Sequence, residues 1–172
     1  MKILICGDIN AGKSTLIERL VADTGEAPRG YITVRLPENA DSVSNVYLYN
    51  IAEPPASVED AEVIIRFRGE KRESFPEKLD TLGVQYLTDI PEGSLVVLDE
   101  IGTLEDRAPA FQKAIFRILD GPYRVLASVK AQNTDFLRAV RRHPDCELFI
   151  ITPENRERLY RQLRSMLNLC QP

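Results

Sequence analysis

The stretch Lys2–Leu20 constrains what this chain can fold into more than any other. Lys2-Ile3-Leu4-Ile5-Cys6 is a short apolar run rich in strand formers, and it breaks at Gly7. Gly7-Asp8-Ile9-Asn10-Ala11-Gly12-Lys13-Ser14 then fits G-x-x-x-x-G-K-[ST], the phosphate-binding loop. After it, Leu16, Ile17 and Leu20 fall at helical spacing with charged residues between them. The motif therefore sits where it must, between a buried strand and a helix. A loop of small residues can turn its backbone N–H groups toward an anion, and the helix N-terminus adds unpaired donors and a positive dipole end. Lys13 supplies a point charge for the β- and γ-phosphates, and the Ser14 hydroxyl is a ligand for Mg²⁺. The expected nucleotide-binding set is Gly7, Asp8, Ile9, Asn10, Ala11, Gly12, Lys13, Ser14 and Thr15. An ordinary Gly-containing turn is the alternative; a chance four-position match in a chain this long is on the order of 1% from average composition.

Bulk properties narrow the class. A chain of 172 residues suits a single domain over 1–172 with a core of ordinary size. With 22 basic and 26 acidic residues, net charge −4 gives no electrostatic case for nucleic acid. Cys6, Cys146 and Cys170 have no metal-binding spacing, which suggests a reduced, cytoplasmic setting, with the first two serving as core residues. The start MKILICGD lacks the regions of a signal peptide, and no apolar run approaches the ~20 residues of a membrane span. The expected setting is soluble and cytoplasmic, and no feature identifies a protein partner.

Further along, Asp23–Gly30 reads as a loop, and Tyr31–Leu36 and Val43–Ile51 as strands joined by a polar turn, an antiparallel hairpin. Val63–Phe67 is another strand and Gly69–Ser74 a charged loop. Phe75, Leu79, Leu82, Tyr86 and Leu87 mark a helix over Phe75–Ile90, with Pro76 suited to its first turn. Leu95-Val96-Val97-Leu98 is continuously apolar, as in a parallel strand covered on both faces. Helix Pro109–Leu119, strand Tyr123–Val129, helix Thr134–Arg142, strand Cys146–Ile151 and helix Pro153–Leu169 follow. This alternation predicts an α/β fold: a mostly parallel central sheet, helices on both faces, and the hairpin region added as antiparallel strands at one side.

Asp99-Glu100 follows the Leu95–Leu98 run. A carboxylate at the C-terminal end of a buried strand beside the phosphate-loop strand is where a Mg²⁺-organising Asp belongs. Ser14 and Asp99 are thus the expected metal ligands, and Lys13 and Glu100 the catalytic pair, with Glu100 polarising the attacking water. A plain acidic turn is the alternative. No [NT]KxD segment follows, which disfavours a switch-type GTPase.

With these residues in view, the chain resembles the small P-loop nucleoside-triphosphatases of the thermophile and human cancer-related nucleoside-triphosphatase family. Gly30-Tyr31-Ile32-Thr33 is similar to the family's Gly-Phe-Tyr-Thr strand, and Asp99-Glu100-Ile101-Gly102-Thr103-Leu104-Glu105 to its Asp-Glu-Ile-Gly-Lys-Met-Glu signature. Phe111 falls where the family has phenylalanine, and Thr152-Pro153-Glu154-Asn155-Arg156 resembles its closing Asn-Arg element. The resemblance implies a P-loop NTPase fold. It also implies Mg²⁺-dependent release of γ-phosphate from ATP, GTP and other nucleoside triphosphates, with slow turnover and weak base preference. Lys13, Ser14, Asp99 and Glu100 carry over by position, and Asn155 and Arg156 become candidates for contact with the base. Helix capping and a surface arginine are the alternative for that pair. The chain departs from the family at Asp8–Ala11, which replaces its usual Pro-Gly, and at Val34, Thr103, Leu104 and Ala108.

Among the remaining polar residues, Glu105 reads as an exposed acid or as a partner of the loop backbone. Arg107 is a candidate for charge stabilisation at the γ-phosphate, and Ser128 and Lys130 for sensing it. His143 lies in a polar loop and suits neither a metal nor a base. Arg156, Arg158, Arg161 and Arg164 read as a solvated helix face, with contact to an acidic partner as the alternative. Two further activities stay open: a small-molecule or nucleotide kinase, and a nucleotide-regulated binding protein with vestigial hydrolysis.

Overall fold

Successive residues of strand β1 (Lys2–Cys6) serve opposite faces of a sheet, Leu4 joining one apolar cluster and Ile3 and Ile5 the other. That is why the strand reads as an unbroken apolar run. The computed structural model describes residues 1–167, so Cys170 and the end of the expected Pro153–Leu169 helix lie outside the described residues.

The elements run β1, α1 (Lys13–Thr24), β2 (Arg29–Arg35), β3 (Val43–Asn50), β4 (Glu62–Arg68) and β5 (Lys71–Ser74). A helical segment follows, made of α2 (Pro76–Lys78), a π turn (Leu79–Gly83) and α3 (Val84–Tyr86). Then come β6 (Leu95–Ile101), α4 (Pro109–Asp120), β7 (Arg124–Val129), α5 (Asp135–Arg141), β8 (Glu147–Ile150) and α6 (Arg156–Met166). All strands form one sheet in the order β5-β4-β3-β2-β6-β7-β1-β8. From β2 to β8 across that order the pairings are parallel, and β2-β3-β4-β5 pair antiparallel. The expected α/β architecture with an antiparallel addition is the one observed. Helices cover both faces: Phe111, Ile115 and Leu137 pack on one, and Leu16, Ile17, Leu20, Leu159 and Leu163 on the other. Each such fully buried side chain contributes about 1.5–3 kcal/mol.

Three details differ from the sequence reading. The expected charged loop Gly69–Ser74 contains β5, because Gly69, at φ 55°, lets the chain reverse and pair Lys71–Ser74 back onto β4. Its side chains are mostly exposed at the sheet edge, so no alternation of polarity marked it, and its charges oppose further strand pairing. The expected helix Phe75–Ile90 ends at Tyr86 and is interrupted by the π turn. That turn sets Gly83 flat against Phe111, where a Cβ would meet the ring at 2.7 Å. Finally, β6 continues through Asp99 and Glu100 to Ile101 instead of stopping at Leu98.

Candidate active site

The carboxyl ends of β1, β6, β7 and β8 converge on one edge of the molecule, the place where open α/β sheets bind ligands. The loop after β1 is held in shape by its glycines. A Cβ on Gly7 would lie 2.5 Å from the Ile151 carbonyl oxygen, and Gly12 has φ 96°, a conformation side chains disfavour. Gly12 caps α1 with no side-chain hydrogen bond, and the helix has no acidic residue in its first turn. The first amides of α1 therefore keep their donors and the positive dipole end is not neutralised. Lys13 is buried and crosses its own loop, donating from Nζ to the carbonyls of Gly7 (2.9 Å) and Asp8 (2.7 Å). Ser14 and Thr15 are exposed at the loop's mouth.

Opposite the loop, β6 carries a bulge. Leu98 pairs with Ala127 and Ile101 with Val129, so Asp99 and Glu100 together face the single residue Ser128. Glu100 has φ 67°, a strained value for a side-chain-bearing residue, and bulges of this kind re-aim side chains beside active sites. Ser128, fully buried, stabilises the turn: its Oγ accepts from the Glu100 N–H at 2.7 Å and donates to Asp99 Oδ1 at 2.9 Å. It acts as a brace beneath the carboxylates, and its burial keeps it from the surface where a phosphate sensor would stand. Replacing Ser128 with alanine leaves the Glu100 N–H without that partner, and the fold should lose about 1–3 kcal/mol in urea unfolding.

Asp99 Oδ1 also accepts from Ser14 Oγ at 2.9 Å, which joins the two signatures directly. Burial raises the Asp99 carboxyl to about 6, against the lowering effect of the Ser128 and Ser14 hydroxyls. A hydroxyl and a carboxylate meeting at one point form a hard-oxygen pair of the type Mg²⁺ uses, together with waters and substrate phosphates. Among the described residues no group of three or more His, Cys, Asp or Glu gathers into an all-protein cage. The residues present fit a partly hydrated Mg²⁺.

Glu100 is about one-third exposed, and its Oε1 lies 3.3 Å from Lys130 Nζ. Its side chain borders a cavity of about 360 Å³ whose walls include Ile9, Lys13, Ser14, Thr15 and Arg156. Arg156 reaches this wall from α6: Nε donates to the Ala11 carbonyl at 2.8 Å and a terminal nitrogen to Asn10 at 3.2 Å. Asn155 bonds locally, accepting from the Thr152 N–H and donating to the Ile150 carbonyl. Arg107 is exposed and reaches Ser74. Arg164 pairs with Asp23, and His143 is buried beside Asp120.

Glu105 is buried, contrary to the expectation of an exposed acid, and accepts from the Gly102 N–H at 3.0 Å. The bond to Gly102 is the loop-backbone alternative, and the signature that ends at Glu105 was the sequence signal for it; the burial comes from the surrounding tertiary packing. That burial raises its carboxyl from 4.5 to about 7, with the backbone bonds and Lys130 opposing. The native state thus holds this proton more tightly than the unfolded chain. Its stabilising effect is complete below the unfolded value and is lost as pH rises through the folded one. Glu105→Gln should flatten the fall in stability between pH ~5 and ~8 by on the order of 3 kcal/mol, read by urea unfolding at each pH.

A family model described as NTPase matches residues 2–164. The nucleoside-triphosphatase THEP1 of Thermotoga maritima is 26% identical over 171 residues, covering 97% of this chain and 95% of that protein. The THEP1 of Thermofilum pendens is 34% identical over 90 residues, about half of each chain (51% and 50%). The crystal structure of THEP1 from Aquifex aeolicus superposes with a TM-score of 0.74 at 21% identity, over 97% of this chain and 99% of the other. The solution structure of a human cancer-related nucleoside triphosphatase gives 0.71 at 18% identity, over 99% of both. At these identities the two structures speak for the fold.

Proposed function

The chain belongs to the NTPase family, and on that basis we propose that it hydrolyses the γ-phosphate of ATP, GTP and other nucleoside triphosphates in a Mg²⁺-dependent reaction. The observation that carries this reading is the direct bond between the two signatures, Ser14 Oγ to Asp99 Oδ1, with Glu100 on the bordering cavity wall. In this mechanism the loop amides and Lys13 bind the β- and γ-phosphates and offset their charge. Ser14 and Asp99 would hold Mg²⁺, which supplies charge neutralisation at the phosphate oxygens. Glu100 takes a proton from water as the water oxygen bonds to the γ-phosphorus. The bond to the bridging oxygen breaks, leaving phosphate and nucleoside diphosphate.

Arg156 borders the same cavity and remains the candidate for contact with the nucleotide, while the local bonds of Asn155 favour a positioning role for it. A single domain over 1–172 in a reduced, cytoplasmic setting belongs to the same reading, supported by the free thiols of Cys6 and Cys146. No helix among the described residues is long and apolar enough to cross a membrane. Phosphate release from ATP, GTP, CTP and UTP, with Mg²⁺ and again with EDTA, tests the proposal. Release from all four that EDTA abolishes is expected. Release from none would reject hydrolysis, and release undiminished by EDTA would reject the metal.

A further inference from the structure

We propose that the cavity on the far side of Glu100 is a second ligand site, taking an organic phosphate at the same time as the nucleotide. The inference rests on the nucleotide reading of the Gly7–Ser14 loop. The cavity is about 800 Å³, within the ordinary range of small-molecule sites. Two of its walls come from parts of the fold that the sheet order brings close, the antiparallel addition and the ends of β6 and β7, and Ile9 and Asn10 of the phosphate loop close a third side.

Strand register builds the first wall. Arg35 pairs with Val46 and Val46 with Ile65, so these three lie in one row on one face of the sheet. Phe67, two residues beyond Ile65 on the same face, pairs with Arg72. The result is an apolar floor flanked by two guanidinium groups. Arg35 is held over Phe67, its guanidinium carbon 4.4 Å from the ring centre, and its Nε donates to Ser44 Oγ. Among the described residues neither Arg35 nor Arg72 makes an ion pair, whereas the neighbouring Arg66 pairs with Glu73. The second wall carries Lys130 and Glu100. Three cations thus face one carboxylate around an apolar floor. Bidentate guanidinium donors suit a phosphate group, and the floor suits an organic body over a bare inorganic ion.

Ile9, Asn10 and Glu100 border both this cavity and the one at Ser14 and Thr15, whereas Lys13, Ser14 and Thr15 line only the latter of the two, so a ligand here lies against the outer side of the phosphate loop. Lys130 Nζ, now 3.3 Å from Glu100, gains a competing anionic partner when a phosphate enters. The ligand thereby draws Lys130 away from Glu100 and frees the carboxylate to act on water.

The probe is 1-naphthyl phosphate, titrated calorimetrically into protein saturated with Mg²⁺ and a non-hydrolysable ATP analogue. Saturable one-to-one binding is expected. The Arg35→Ala/Arg72→Ala double variant should weaken it at least tenfold while the analogue binds within twofold of wild type. In wild type, saturating probe should raise phosphate release from ATP, and the double variant should lose that rise but keep its basal rate. Absence of binding in the loaded protein, displacement of the probe by the analogue, or affinity untouched by the double variant would overturn the site. Binding with no change in release would overturn the coupling through Lys130. Failure of the analogue itself to bind would instead count against the nucleotide reading.

Discussion

Replacing Lys13 with alanine should lower affinity for ATP at least about a hundredfold. Two charge-assisted contacts to phosphate oxygens, each worth about 1.5–3 kcal/mol, are enough for that loss. The side chain is buried, and its Nζ is already positioned at the centre of the loop by the Gly7 and Asp8 carbonyls. The other cation on the cavity that includes Ser14 and Thr15, Arg156, is engaged with the Asn10 and Ala11 carbonyls, so it does not take the place of Lys13 inside the loop. Part of the effect should be structural, because both carbonyls lose a partner and the loop loosens. Thermal melting separates the two contributions: a shift of a few degrees with binding gone supports the ligand role. An unchanged Kd for ATP would contradict it.

The parallel half of the fold was legible because its signals are local. Leu95–Leu98 and Ile3–Ile5 are apolar on both faces, and glycine or proline punctuates the chain between elements. The antiparallel edge was harder to read. Lys71–Ser74 is a strand through backbone pairing to β4, and its side chains touch too little to leave a pattern. The π turn at Leu79–Gly83 was equally hidden, since it answers to the ring of Phe111.

In the site, the P-loop motif and the carboxylate after an apolar strand pointed to Ser14 and Asp99, and the two meet at 2.9 Å although they lie in separate segments of the sequence. The bulge that aims Glu100 could not be seen, because it depends on β6 and β7 differing by one residue opposite Ser128. Arg156 stood out through its resemblance to the family's closing Asn-Arg element and as part of a basic run, and neither signal shows what it touches. Its bonds to the Asn10 and Ala11 carbonyls tie α6 to the phosphate loop, a contact between the two ends of the chain that no local pattern encodes. Glu105 has the same history: its acidity was plain, and its burial was decided by packing.

In the proposed mechanism the reaction turns on Glu100. The bulge at Ser128 holds this residue in a left-handed backbone conformation, and its carboxylate borders the cavity that also includes Ser14. Replacing the carboxylate with an amide keeps the shape and removes the proton acceptor. General-base catalysis is worth about 10²–10⁴ in rate, so kcat should fall by about that factor in Glu100→Gln. Binding should survive, because Lys13, Ser14, Asp99 and the loop amides remain, and loss of a like charge near the phosphates opposes none of their contacts. The decisive measurement is single-turnover phosphate release from ATP by Glu100→Gln, with the Kd for a non-hydrolysable analogue determined on the same preparation. Release slowed by about 10²-fold or more with Kd unchanged is the expected result. Release at the wild-type rate would contradict the account.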